Sequence, residues 1–145
     1  LRLQTVGLGP GPALRDGDLK GSHTLTENYS VLAPEVRELG GETVGTFNQS
    51  FLDLLMSHDR VYVFGEAKSH CVLATLEDIR KSAADPKLLD RVYILEDAMS
   101  PVSPPPLEPL PESLDFPRLA NDALRRFAAS GMHVVQTTDP LPGRE

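Results

Sequence analysis

Two continuous apolar runs constrain this chain most. Val61-Tyr62-Val63-Phe64 and Val92-Tyr93-Ile94-Leu95 are short, rich in β-favouring residues, and show no alternation of polar and apolar positions. Such runs suit strands covered on both faces, as in parallel sheets. Helical patterns separate and flank them. Asn48 or Ser50 can cap a first helix, with Phe51, Leu54 and Leu55 on one face and an end near His58. A second helix is predicted from about Ser69 to Ala84, with Val72, Leu76, Ile79 and Ala83 as its buried stripe and Asp85-Pro86 as its stop. Asp115 and Pro117 open a third, with Leu119, Ala120, Ala123, Leu124 and Phe127 turned inward. Gly131 ends it, and Met132–Thr137 reads as a further strand. Helix and strand alternate from residue 48 onward, which predicts an α/β fold with a mainly parallel sheet between helices, a three-layer α/β/α arrangement.

The first third is less regular. Leu1–Val6 could form a strand, and residues 7–12 break any element with three glycines and two prolines. Lys20–Ser30 is polar and reads as loop. Pro34 suits the first turn of a short helix over Ala33–Leu39, ended by Gly40 and Gly41. Residues 101–116 read as a proline-rich surface loop, since 101–111 hold six of the 13 prolines.

The 145 residues fit one domain, taken as 1–145, and can bury a core without metal or disulfide. With 40% hydrophobic and 24% charged residues the balance is globular. A net charge of −7 without a basic stripe argues against nucleic acid or an anionic membrane as partner. One cysteine and no charged-then-apolar leader give a cytoplasmic expectation.

That cysteine is the most informative residue. Cys71 follows a strand, a glycine and a turn of small and polar residues, at the predicted start of the next helix. Sites in open α/β sheets lie off the carboxyl ends of strands. A helix N-terminus favours an anion, including a thiolate, and its N–H groups can hold an oxyanion. A buried, inert thiol is the plainer alternative.

Gly65-Glu66-Ala67-Lys68-Ser69-His70-Cys71-Val72, with Thr75 and Asp78 after it, resembles the cysteine block of the isochorismatase-like hydrolases, nicotinamidase type: Gly-x-Ala-x-x-x-Cys-Val-x-x-Thr-x-x-Asp. Leu19-Lys20-Gly21 with Glu27-Asn28-Tyr29-Ser30 resembles the family's lysine segment. Leu95–Ser100 resembles its strand-end Asp-Ala, and the stretch from Ala128 to Val135 its last helix and strand, so the resemblance spans about 19–138.

The resemblance implies a fold and a reaction. Cys71 would attack a carboxamide carbonyl, expel ammonia and leave a thioester for water, turning nicotinamide into nicotinate, a step of NAD metabolism. Lys20 would sit beside the thiol as a cation. Ala67 and Cys71 would supply the oxyanion-hole N–H groups, with Glu66–Ala67 as the family's cis peptide. Tyr29 and His70 would line the substrate pocket. The family's catalytic aspartate closes its first strand, and neither Asp16 nor Asp18, in a Gly/Pro-rich stretch, suits that role. The expectation is therefore an N-terminally incomplete domain, lacking its first strand or strands and exposing a sheet edge. Loss of a positioned base costs about 10²–10⁴-fold in rate, so a remnant or interaction module without catalysis is the alternative. No cofactor is expected from this chain, a divalent metal such as zinc being a matter for a longer protein. The partner is a small amide, with homo-oligomers found among relatives.

Other signals point elsewhere. Gly7-Leu8-Gly9-Pro10-Gly11-Pro12 lacks dinucleotide-loop spacing. His23, His58, His70 and His133 have no chelating spacing with Cys71, and no second cysteine exists to resolve a redox thiol. Glu35, Glu77, Asp78 and Asp122 read as solvated positions. The proline tract could serve as a ligand for a proline-reading domain, though a surface loop is the simpler reading.

Overall fold

Two consecutive glycines turn the chain at residues 40 and 41. The computed structural model describes residues 25–140, and within them Glu38–Leu39 (β1) and Glu42–Thr43 (β2) form a small antiparallel hairpin. Gly40 and Gly41 adopt φ of 61° and 86°. This is the backbone that favours Gly-Gly at the centre of a tight hairpin turn. The short helix expected over Ala33–Leu39 does not form; the glycines that were to end it close a hairpin instead. The expected strand Leu1–Val6 and the candidate Lys20 lie outside the described residues.

The rest follows the expected alternation. Gln49–Met56 (α1) is capped by Asn48, whose side chain accepts from the Phe51 N–H at 3.0 Å. Val61–Val63 (β3) leads through a turn into a π-helical stretch, Lys68–Val72, and then Leu73–Ser82 (α2). A 3-10 stretch, Pro86–Arg91, leads into Val92–Leu95 (β4). Phe116–Ala129 (α3) follows the proline tract, with Asp115 as N-cap accepting from the Arg118 N–H, and His133–Val135 (β5) comes last. The three longer strands form one parallel sheet in the order β3-β4-β5, with Val61 opposite Val92 and Ile94 opposite Val134. The protein is thus α/β with a small parallel sheet.

Several details differ from expectation. The predicted second helix starts as a wider turn: the Val72 N–H reaches back five residues to the Ala67 carbonyl at 3.2 Å, and the α-helix proper begins only at Leu73. Phe64 is not covered; it is exposed just past the end of β3. Leu119 also faces outward. In α1 the buried side chains are Phe51, Leu52 and Met56, with Leu54 and Leu55 packed at the margin. The 101–116 loop gives way at Glu112–Leu114 to a 3-10 turn, and α3 already starts at Phe116.

One core joins these elements. Phe127, Leu52, Leu76, Ile79, Val92 and Ile94 are all but fully buried, so helices α1, α2 and α3 each contribute to the same cluster as β4. Removing a side chain as large as Phe127 from such a core typically costs about 3–5 kcal/mol. No helix among the described residues is long and apolar enough to cross a membrane.

Candidate functional site

Because all three strands of the sheet run parallel, the turns that follow them gather at one end. The turn after β3 carries Cys71, the segment after β4 carries Glu96 and Asp97, and the one after β5 carries Thr137. Gly65 opens the first turn with φ of 127°, a conformation that a residue with a Cβ rarely adopts. The next peptide, Glu66–Ala67, is cis, the isomer the family resemblance implies there. Ala67 is extended and Lys68 begins the π-helical stretch.

Cys71 is half-buried in this stretch and forms no disulfide. The backbone around it is held firmly. The Lys68 N–H donates to the Ser100 carbonyl at 2.9 Å, and the N–H groups of His70 and Val72 both donate to the Ala67 carbonyl. The N–H groups that the resemblance assigns to an oxyanion, those of Ala67 and Cys71, are not among these. The Cys71 carbonyl accepts from the Thr75 hydroxyl at 2.8 Å. That hydroxyl also accepts from the Val31 N–H at 3.1 Å, which ties the segment after Tyr29 to the turn.

Of the expected pocket residues, Tyr29 and His70 do come together, with ring centroids 5.8 Å apart. Phe116, which sequence reasoning did not single out, adds a second ring 5.0 Å from His70, edge to face. The His70 Nδ1 lies 2.8 Å from Ser69 Oγ, and Ser69 Oγ accepts from the Val102 N–H at 3.0 Å. The start of the proline tract is thereby fastened to the Cys71 turn. Tyr29 is exposed and His70 half-buried, so the aromatic group stands at the surface.

Lys68 is the other residue the sequence did not reveal. It is 8% exposed, and its Nζ donates to Glu96 Oε1 at 3.0 Å and to Asn121 Oδ1 at 2.9 Å. A charge leaves water at little cost only when partners of this kind replace its hydration. A lysine inside an otherwise small-residue turn was the available signal, but its two partners lie 28 and 53 residues away. Asp97, in the strand-end Asp-Ala segment, accepts from both the hydroxyl and the N–H of Thr137 at 2.5 and 2.7 Å. The hydroxyl bond above all, helped by the N–H, holds its carboxyl below the usual carboxylate range against the opposing effect of desolvation.

A groove of about 290 Å³ lies elsewhere, between residues 30–37 and α2, with Pro34, Arg37, Glu77 and Lys81 on its walls; it does not include Cys71. Of the acidic positions read as solvated, Glu77 is instead half-buried and paired with Arg80 at 2.6 Å and Lys81 at 3.4 Å. Asp122 pairs with Arg118 and Arg125 on the outer side of α3. Among the described residues no group of three or more His, Cys, Asp or Glu side chains is assembled to hold a metal ion. No family model, curated protein or solved structure matches this chain.

Proposed function

We propose that this chain carries the nucleophile-bearing part of an isochorismatase-like, nicotinamidase-type amidohydrolase. The observation that carries the reading is the turn between β3 and α2. It holds Cys71 at the carboxyl end of a parallel sheet, next in sequence to His70, whose ring meets Tyr29, within the motif from Gly65 to Asp78. The Cys71 sulfur attacks the carbonyl carbon of a carboxamide such as nicotinamide; the C–N bond breaks, the amide nitrogen takes up the proton given up by the thiol and leaves as ammonia, and a thioester remains. Water then cleaves the thioester, releasing the acid and restoring the thiol. The N–H groups of Ala67 and Cys71 stabilise the oxyanion of each tetrahedral intermediate. Lys20 is the cation beside the sulfur by resemblance alone.

A second reading, a non-catalytic module that keeps the half-fold, draws on the carboxylates at this end of the sheet. Glu96 is bound to Lys68 and Asp97 to Thr137, so neither is set aside as a base for the thiol.

Ammonia release from nicotinamide by the full chain, with Cys71→Ala as control, separates the two. The hydrolase reading expects release that the substitution abolishes, and an acyl adduct on Cys71 by mass spectrometry of the quenched reaction. Absence of both in a folded sample overturns it in favour of the module.

A further inference from the structure

The proline tract begins and ends on the same dipeptide. At its start the Ser100 carbonyl accepts from the Lys68 N–H at 2.9 Å, and the Val102 N–H donates to Ser69 Oγ at 3.0 Å. At its end the Phe116 ring lies 5.0 Å from the His70 ring, edge to face. Residues 102–116 therefore form an Ω-type loop with one foot on Ser69 and the other on His70, both within two residues of Cys71. Between the feet, residues 103–110 make no hydrogen bond to any described residue outside the loop. The Leu107 N–H instead turns back to the Pro105 carbonyl at 2.8 Å. That turn bends the tract at Pro106, away from the straight polyproline helix that proline-reading domains take. Val102 and Leu107 are 42% and 48% exposed, so the span keeps apolar surface in water. Tyr29, also exposed, offers apolar surface beside the feet, its ring 5.8 Å from that of His70.

Each proline fixes its own φ, so the run Pro104-Pro105-Pro106 stiffens the span. A stiff span held only at two neighbouring feet moves as one piece about them. We propose that residues 103–110 are a flap over the Cys71 turn. It closes by rotating about its feet until Leu107 lies on Tyr29, and the closed flap screens the thiol from large molecules while small ones pass. Closure removes from water the leucine surface that the open position leaves exposed, which is its driving force. The second foot is the firmer one. There the Leu114 and Asp115 N–H groups close a turn on the Pro111 and Glu112 carbonyls, and Asp115 caps α3. The flap requires no turnover at Cys71, so it stands or falls apart from the hydrolase reading.

The test labels the full chain at its single cysteine with two reagents of one chemistry and different bulk, N-ethylmaleimide and a polyethylene-glycol maleimide. The ratio of their rates cancels the thiol's own nucleophilicity and leaves access. A flap open for about a tenth of the time slows the bulky reagent about tenfold. Replacing residues 103–110 with Gly-Ser-Gly, which the neighbouring feet allow, should recover that factor and leave the N-ethylmaleimide rate unchanged. Leu107→Ser alters an exposed side chain and keeps the loop length. It removes roughly half of a leucine's burial from the closed state and should speed the bulky reagent about threefold. Unchanged rate ratios in both variants overturn the flap. So does equal acceleration of both reagents, which would mark the loop as a mere brace of the turn, and so does a folded wild-type chain that neither reagent labels. Should circular dichroism show the shortened loop unfolded, Leu107→Ser decides alone.

Discussion

The Lys68 ammonium stands 3.0 Å from Glu96 Oε1 and 2.9 Å from Asn121 Oδ1, so one cation ties the Cys71 turn to the segment after β4 and to α3. Lys68→Met keeps much of the side-chain volume and removes all three donors. We expect a loss of about 2 kcal/mol, the scale of hydrogen bonds to charged groups, read as a lower urea midpoint at unchanged slope. In Lys68→Met the remaining Glu96 carboxylate, 38% exposed, regains water, whereas Glu96→Gln leaves the buried ammonium without its counter-charge, so Glu96→Gln should cost at least as much. A clearly smaller loss from Glu96→Gln would mean that the ammonium does not depend on the carboxylate.

Thr75 ties the Cys71 turn to the segment after Tyr29. Its hydroxyl donates to the Cys71 carbonyl and accepts from the Val31 N–H. Thr75→Val keeps the shape and strands the half-buried Val31 amide, at a cost of about 1–2 kcal/mol. Hydrogen exchange at Val31 should accelerate in Thr75→Val and stay near wild type in Thr75→Ser. Unchanged exchange in both would remove the bridge from the account.

Gly65 has room for a methyl group, since nothing lies within 4 Å of where its Cβ would be. Its φ of 127° is the obstacle. Gly65→Ala should therefore destabilise by about 1–3 kcal/mol through the backbone alone. Thermal or urea unfolding checks this, and a variant as stable as wild type would mean the turn has a second accessible form.

Asp97 gives the fold an acid dependence of known sign. Its carboxyl titrates lower in the folded chain than when unfolded, mainly through the Thr137 hydroxyl. The stabilisation is present above the ordinary aspartate pKa of about 3.9 and is lost as pH falls through the lower folded value. Asp97→Asn should flatten the fall of stability below about pH 4, measured as urea midpoints across that range. Wild-type steepness in the variant would assign the dependence to other carboxylates, such as Glu77.

The alternation of elements was legible because it depends on local pattern. The Val72, Leu76 and Ile79 stripe is buried, and Asn48 and Asp115 cap the helices that follow them. The hairpin at Gly40-Gly41 is not legible locally, because paired glycines end helices and close hairpins alike, and only the flanking residues' pairing decides. The exposure of Phe64 could not be read from an apolar run, which says nothing about where its cover stops. In the site, Tyr29 and His70 were named by the resemblance and their rings do meet, whereas Lys68 and Phe116 depend on partners far along the chain.

The reach of Lys68 has a bearing on synthesis. A chain emerging from the ribosome presents residue 71 well before residue 121 exists, so the thiol is made before the helix that steadies its surroundings. Until Asn121 docks, the ammonium lacks one of its two acceptors. Maturation of the cysteine's setting is consequently a late event, and an alkylating pulse applied to truncated nascent chains would meet this sulfur in looser surroundings than in the finished molecule.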